Sequence, residues 1–148
     1  MPCPVSRPIL AGRTDIRSAT PAQSSSPVST IAALNLLHEL EGRKIGVLAD
    51  MLELGSFERE GHEMVGRRAA DVLDVLVGVG ERARLIAQSA LDAGMDPQQV
   101  FLRAQKAEAI DLLKTMLGPG DLVLIKGSRG MVMEDVVTAL AVHEHLRK

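Results

Sequence analysis

Asp-Leu-Val-Leu-Ile-Lys-Gly-Ser-Arg-Gly-Met, residues 121–131, is the stretch that decides the fold. Its apolar run at 121–125 is typical of a short strand covered on both faces of a sheet. The glycines that follow indicate a tight turn into a helix, whose first turn would carry unpaired N–H groups and a partial positive charge. Lys126 and Arg129 add cations and Ser128 adds a hydroxyl donor. The loop therefore predicts a corner that binds a carboxylate or a phosphate.

The same loop has a plainer interpretation, in which Ser128 only caps the helix and both cations are solvated. The loop is not the P-loop of a nucleoside triphosphatase, because the pattern Gly-x-x-x-x-Gly-Lys-Ser/Thr occurs nowhere in the 148 residues. The residues alone leave anion binding and helix capping open at this position.

Strand-like and helical segments alternate outward from this loop. Short apolar runs predict four strands, at residues 44–48, 74–79, 99–102 and 121–125. Apolar residues at helical spacing predict five helices, at about 27–41, 58–72, 81–93, 105–117 and 131–145. Repeated strand–helix units with apolar strands predict an α/β fold. We expect a Rossmann-like, doubly wound, mainly parallel sheet with helices on both faces.

The first 26 residues differ in composition from the rest. Five of the seven prolines lie within residues 1–28, together with a Ser-Ser-Ser run and no periodic apolar pattern. This composition predicts a disordered or irregular N-terminal tail at 1–26. Residues 27–148 then form one domain of ordinary size.

Composition excludes several classes of partner. The chain has two Phe and no Tyr or Trp, so it can hardly supply the aromatic platforms that bind single-stranded nucleic acid. Its net charge is −2 with acids and bases interspersed, and no basic stripe favours nucleic acid. The apolar runs are far shorter than the roughly 20 residues that cross a bilayer. We therefore expect no membrane partner. A single cysteine fits a reducing compartment, so we expect a cytoplasmic location.

A second group of polar residues follows the strand at 44–48. Asp50 would lie at the carboxyl end of that strand, where doubly wound sheets bind their ligands. With Glu53 and His62 it could converge on a polar ligand or a metal. Alternatively, Asp50 closes a turn, and His62, which shares a helix face with Val65, is a structural histidine.

Gly78-Val79-Gly80 with Ala83 resembles the dinucleotide fingerprint Gly-x-Gly-x-x-Ala at a strand-to-helix turn. That fingerprint requires an acidic residue about 20 positions further on, where this chain offers Arg103. Glycines that simply allow a tight turn are the better interpretation. The remaining histidines are predicted to be solvated, and the sequence predicts no metal site.

Taken together, three segments resemble the C-terminal domain of the Mur ligase family. They are GRKIGVLADMLELG at 42–55, DVLVGVG at 74–80 and GDLVLIKGSRGM at 120–131. His62 stands at the family's spacing after the first segment. In order and spacing the resemblance covers about residues 27–142.

The resemblance implies an ATP- and Mg²⁺-dependent ligase of peptidoglycan synthesis and cell-wall biogenesis. In such an enzyme ATP phosphorylates the terminal carboxylate of UDP-N-acetylmuramoyl-tripeptide, and the amine of D-alanyl-D-alanine attacks the acyl phosphate. Family members have three domains, and the C-terminal one closes over the central ATPase domain. For this chain the resemblance implies substrate binding by Lys126, Ser128, Arg129, Asp50 and His62, with no catalytic residue and no metal ligand.

The chain departs from the family at residues 20–27, Thr-Pro-Ala-Gln-Ser-Ser-Ser-Pro, where the family has an acidic stretch that contacts the nucleotide. We therefore expect this segment not to contact the nucleotide, and the chain alone not to bind ATP or Mg²⁺ tightly. Because the chain has no loop that cradles the phosphates of ATP, we also expect it not to catalyse ligation without the central ATPase domain. Two other interpretations stay open. One is a stand-alone binding module derived from the ligase, and the other is a small nucleotide-binding protein that uses Gly78 and Gly80.

Overall fold

The computed structural model describes the backbone of residues 15–18, and residues 26–52, 54–118 and 120–127 with their side chains. Within these described residues, five strands and four helices alternate. The strands are β1 Asp15–Ser18, β2 Arg43–Ala49, β3 Val75–Val79, β4 Val100–Arg103 and β5 Asp121–Lys126. The helices are α1 Pro27–His38, α2 Glu58–Val72, α3 Ala83–Asp92 and α4 Lys106–Met116, with short 3₁₀ turns at Gly55–Phe57 and Pro97–Gln99. The predicted helix at 131–145 lies outside the described residues.

The five strands form one parallel sheet in the order β1-β5-β2-β3-β4. From β2 the chain proceeds outward through β3 to β4, and then returns to place β5 on the other side of β2. The direction of winding therefore reverses between β2 and β5, which confirms the predicted doubly wound sheet. In such sheets the crevice at this reversal, beyond the carboxyl ends of the strands, is where ligands bind.

Helices cover both faces of the sheet, as predicted. Side chains of α1, α2 and α3, such as Leu34, Val65 and Ile86, pack with alternate strand residues in one core cluster. Residues of α4, such as Leu113, pack in a second cluster on the opposite face. Successive side chains of β5 join opposite clusters because side chains alternate along a strand. Within the described residues, no helix has both the length and the apolar character needed to cross a membrane.

The structure differs from the predicted irregular tail at Asp15–Ser18, which forms β1 and pairs in parallel with β5. This strand lies at the edge of the sheet and is held by backbone hydrogen bonds on one side. An edge strand of this kind needs no apolar run. Of its four residues only Ile16 is large and apolar, so the apolar pattern of the sequence does not indicate a strand here. The boundary between tail and domain at residue 26 stays a prediction.

Helices α2 and α3 pack closely at Gly66. A Cβ atom added at Gly66 would lie 2.3 Å from the carbonyl oxygen of Ile86 and 2.7 Å from the Cβ of Ser89. The hydroxyl of Ser89 also donates a hydrogen bond to the carbonyl oxygen of Glu63 at 2.7 Å. The missing side chain at residue 66 is thus what allows the two backbones to pack together.

Candidate functional site

The crevice at the winding reversal opens between the carboxyl ends of β2 and β5. Lys126, the last residue of β5, lies opposite Leu48 of β2 in the strand register, and only 3% of it is exposed. By the alternation of the strand it shares the face of Leu124, which α1, α2 and α3 cover. Gly127 follows half-buried. Ser128 and Arg129 lie outside the described residues, so their placement in this corner stays a prediction.

Asp50 immediately follows β2 and connects the loops after β2 and β3. It is buried, and its Oδ1 accepts a hydrogen bond from the backbone N–H of Ala83, the first residue of α3, at 2.9 Å. The side chain of Arg82, the residue before α3, does not cap the N-terminus of this helix. Asp50 supplies that cap from a different loop. A negative charge at a helix N-terminus is also favoured by the helix dipole.

Arg82 links Asp50 to the start of α2. Its Nη1 lies 3.5 Å from Asp50 Oδ2, and its Nε donates to the carboxylate of Glu58. The hydrogen bond and charge of Glu58, with a smaller contribution from the charge of Asp50, raise the pKa of Arg82 above its ordinary value. Arg82 therefore stays cationic, and it ties the turn before α3 to both ends of the connection between β2 and α2. The sequence analysis missed Arg82 and Glu58, because their pairing joins residues that only the fold brings together.

Gly80 shows what the fingerprint-like glycines do. Its φ is +104°, and a Cβ atom there would lie 2.6 Å from Asp50 Oδ1. The Asp50 carboxylate thus occupies the start of α3, the position at which a dinucleotide fold holds the pyrophosphate. A carboxylate at this position repels phosphate, so the geometry argues against the nucleotide-binding interpretation and supports a tight turn.

His62 is fully buried on α2 and bonds to the backbone through both ring nitrogens. Nε2 lies 3.0 Å from the backbone nitrogen of Met51, and Nδ1 lies 2.6 Å from the carbonyl oxygen of Glu58. Because an amide N–H can only donate, Nε2 is the acceptor, and Nδ1 carries the proton that it donates to Glu58. His62 therefore fastens the segment after β2 to α2, as the structural interpretation of this residue predicts. Glu53 lies outside the described residues.

Asp50 and His62 thus meet at the segment after β2, because His62 bonds to the backbone of Met51, the residue next to Asp50. Lys126 lies at the end of the neighbouring strand β5. The described residues do not fit a nucleoside triphosphate or Mg²⁺ by themselves. Asp50 holds the start of α3, and no group of three or more His, Cys, Asp or Glu side chains in the described ranges could hold a metal ion.

Replacing Asp50 by Ala is expected to lower the free energy of unfolding by about 2 kcal/mol, because α3 loses its cap and a buried N–H loses its acceptor. Asp50→Asn keeps an acceptor oxygen and should cost less. Urea unfolding followed by circular dichroism measures both changes. Asp96, which caps an exposed turn by accepting from the N–H of Gln98, provides the control: Asp96→Ala should cost less than Asp50→Ala. If both variants lowered the free energy of unfolding equally, burial of the Asp50 hydrogen bond would not be the source of the larger expected loss.

Comparison with known proteins gives a consistent match. A family model described as "Mur ligase, glutamate ligase domain" matches residues 22–129. The chain is 36% identical over 122 residues to the UDP-N-acetylmuramoyl-tripeptide–D-alanyl-D-alanine ligase of Bacillus subtilis (strain 168), covering 80% of this chain and 26% of that protein. It is 33% identical over 115 residues to the enzyme of the same name from Escherichia coli (strain K12), covering 76% of this chain and 24% of that protein.

The fold is also similar to that of a solved structure, a MurF ligase from Thermotoga maritima in complex with ADP. The TM-score is 0.72 at 24% sequence identity, over 90% of this chain and 30% of that one. This likeness supports the fold. The chain spans about a quarter of the length of the curated relatives that it matches.

Proposed function

Because the chain belongs to the Mur ligase family, we propose that it serves as the C-terminal substrate-binding domain of a ligase that adds D-alanyl-D-alanine to UDP-N-acetylmuramoyl-tripeptide. The reaction is a step of peptidoglycan synthesis, which we place in the cytoplasm. Mur ligases use ATP and Mg²⁺, and we assign that chemistry to the central ATPase domain, because the described residues here fit neither group. This domain alone is then expected to bind a substrate without catalysing the ligation.

The observation that carries the proposal is the buried Lys126 beside the winding reversal of the sheet. Gly127 follows it and leads into the Ser-Arg pair of the loop. A dipeptide such as D-alanyl-D-alanine has one carboxylate that must be anchored while its amine reacts. We propose that Ser128, with Lys126 or Arg129, holds that carboxylate, since charge-assisted hydrogen bonds to a carboxylate are strong and directional.

Asp50 and His62 belong to the proposed site as well. Their contacts in the structure are to Ala83, Arg82, Met51 and Glu58. We propose that they act on the substrate through the segment after β2 and the start of α3, whose backbone they hold in place. A change at either residue should then reduce substrate affinity together with stability.

A chimera tests the proposal. Residues 15–148 of this chain, which include β1, replace the matching C-terminal part of the Bacillus subtilis relative, which supplies the remaining domains. Ser128→Ala and Arg129→Ala are each expected to raise the KM for D-alanyl-D-alanine by about tenfold, the loss of one charge-assisted hydrogen bond. The KM for ATP should change much less. Steady-state kinetics with each substrate varied in turn gives both values.

The matched control is Arg67→Ala, which removes an exposed arginine on α2 and should leave both constants unchanged. If the parent chimera is active and the KM for the dipeptide is the same in all variants, the loop at 126–130 does not hold the dipeptide. Calorimetry on the 148-residue chain with D-alanyl-D-alanine and with nicotinamide dinucleotides gives an independent check. Dinucleotide binding without dipeptide binding would overturn the proposed function.

A further inference from the structure

Among the described strands, β1 and β4 form the two edges of the sheet, and β4 carries apolar side chains on both of its faces. Val100 packs with the core cluster on the α3 face, Phe101 packs with the cluster on the α4 face, and Leu102 is 40% exposed. Edge strands often carry charges that oppose further pairing, and β1, Asp-Ile-Arg-Ser, has two. Strand β4 has one charge, at its last residue Arg103, whose guanidinium lies 5.9 Å from the centre of the Phe101 ring.

The backbone of Leu102 faces the open side of β4. The carbonyl oxygen of Arg103 accepts a hydrogen bond from the N–H of Gly80 at 2.9 Å, so this carbonyl points toward the β3 side. Neighbouring residues of a strand direct their backbone groups to opposite sides, so the N–H and carbonyl of Leu102 point away from β3. Within the described residues no strand lies on that side, and the Leu102 carbonyl accepts a bond from the Arg103 side chain at 2.7 Å. The edge is therefore open to a further strand.

Helix α3 flanks this edge on one face of the sheet, and a surface groove runs between the helix and β4. Residues 84, 87, 88 and 91 lie on one side of α3, because side chains three and four apart are neighbours on a helix. The lining of the groove includes these four residues and two of β4: Arg84, Ala87, Gln88, Leu91, Val100 and Leu102. A strand added beside β4 would thus lie next to a helix face with an apolar part.

This edge has opposite charges at its two ends. Helix α3 runs from the carboxyl end of β3 to the amino end of β4, so Arg84 lies at the carboxyl end of the sheet together with Arg103. Asp92, the last residue of α3, and Asp96, which precedes β4, lie at the amino end. Glu81 reduces the positive charge at the carboxyl end without cancelling it. A two-fold rotation places the positive end of one copy beside the negative end of another, so the edge is complementary to itself.

We propose that β4 pairs antiparallel with β4 of a second copy of this chain, which joins two five-stranded sheets into one across a two-fold axis perpendicular to the sheet. The α3 helices of both copies then lie antiparallel on the same face, with Arg84 of each near the partner's Asp92. Leu102 and Val100 pair with the same residues of the partner on that face. Because β3 separates β4 from β2, the crevice stays open in this dimer.

The spacing of the elements fits a second copy. Helix α3 contacts both β3 and β4, so its axis lies above the space between these strands. With strands about 4.8 Å apart, this axis is about 5 Å from the two-fold axis. The two α3 helices are then about 10 Å apart, which is a usual distance between packed helices. An unrelated extended peptide would pair with β4 but would bring no helix to cover the exposed side of α3.

Sedimentation equilibrium of the 148-residue chain tests the proposal. A monomer–dimer equilibrium is expected at concentrations up to about 1 mM. Leu102→Lys should raise the Kd of the dimer at least about tenfold, because a lysine on an edge strand opposes pairing. The matched control is Leu36→Lys, the same change at a leucine of α1 that is 53% exposed, and it should leave the Kd unchanged.

Charge reversal tests the contact between the two α3 helices. Arg84→Glu should raise the Kd about fivefold, since the new carboxylate lies near the partner's Asp92. Adding Asp92→Arg to this variant should restore the Kd of the parent. Residues 84 and 92 are about 12 Å apart along α3, so the two changes cannot compensate for each other within one copy.

Amide hydrogen exchange locates the interface. The N–H of Leu102 should exchange more slowly as the protein concentration rises, whereas the N–H of Arg103, which faces β3, should be protected at every concentration. A monomer at all concentrations, a Kd raised by Leu36→Lys but not by Leu102→Lys, or a double variant that binds no more tightly than Arg84→Glu would overturn the proposal. Exchange of the Leu102 N–H that is independent of concentration would also overturn it.

Discussion

Replacing Gly66 by Val is expected to lower the free energy of unfolding of the 148-residue chain by about 4 kcal/mol, a large part of a domain's usual stability. The added Cβ would meet the carbonyl oxygen of Ile86 at 2.3 Å. That atom belongs to the backbone of α3 and cannot rotate away, so the two helices would have to separate. Separation would open the core cluster that α2 and α3 form with the sheet.

Gly66→Ala makes the test sharper, because in an unconstrained helix this change stabilises by about 1 kcal/mol. Here it is expected to destabilise, so the sign of the change distinguishes close packing from helix propensity. Urea or thermal unfolding provides the measurement. Arg67→Ala, at the neighbouring exposed position, should change stability by less than about 0.5 kcal/mol. A Gly66→Ala variant more stable than the parent would refute the close approach of α2 and α3.

His62→Leu is expected to lower the free energy of unfolding by about 3 kcal/mol. Leucine fills the fully buried position of His62 with an apolar side chain. The N–H of Met51 and the carbonyl oxygen of Glu58 then lose their hydrogen bonds to the ring nitrogens. Each buried polar group left without a partner costs about 1–3 kcal/mol. Because Met51 lies directly after Asp50, the loss should also loosen the segment at the end of β2.

Amide hydrogen exchange locates the effect of this change. The Met51 N–H should be well protected in the parent and should exchange faster in His62→Leu, while amides in the centre of β3 change less. The control is His38→Leu, since His38 is exposed at the end of α1, and it should leave both exchange and stability nearly unchanged. Unaltered protection of Met51 in His62→Leu would show that the imidazole does not hold this segment.

The sequence was sufficient for those parts of the fold that bury an apolar pattern. Helix α2 runs from Glu58 to Val72, as its stripe of Val65, Ala69 and Val72 predicts, and β5 follows its apolar run. Helix α3 ends at Asp92, one residue before the predicted end at 93, and Gly94 with φ +104° follows. Strand β1 could not be found in this way, because an edge strand of four residues is held by backbone bonds that no side-chain pattern records.

For the candidate site, the sequence indicated residues but not their partners. The position of Asp50 after a strand was readable, whereas its bond to the N–H of Ala83 depends on how β2 and β3 lie side by side. His62 could be read as a ligand or as a structural residue, and only the short distances from both ring nitrogens to backbone atoms favour the second.

The strand order has a consequence for how the chain assembles during synthesis on a ribosome. Strands β2 and β3 are joined through α2 and can pair early, because little chain separates them. Strand β5 must then insert beside β2, and it is the strand with which β1 pairs. Of the five described strands, β1 is therefore made first and finds its place last, and the crevice that holds Lys126 exists only after β5 has been made.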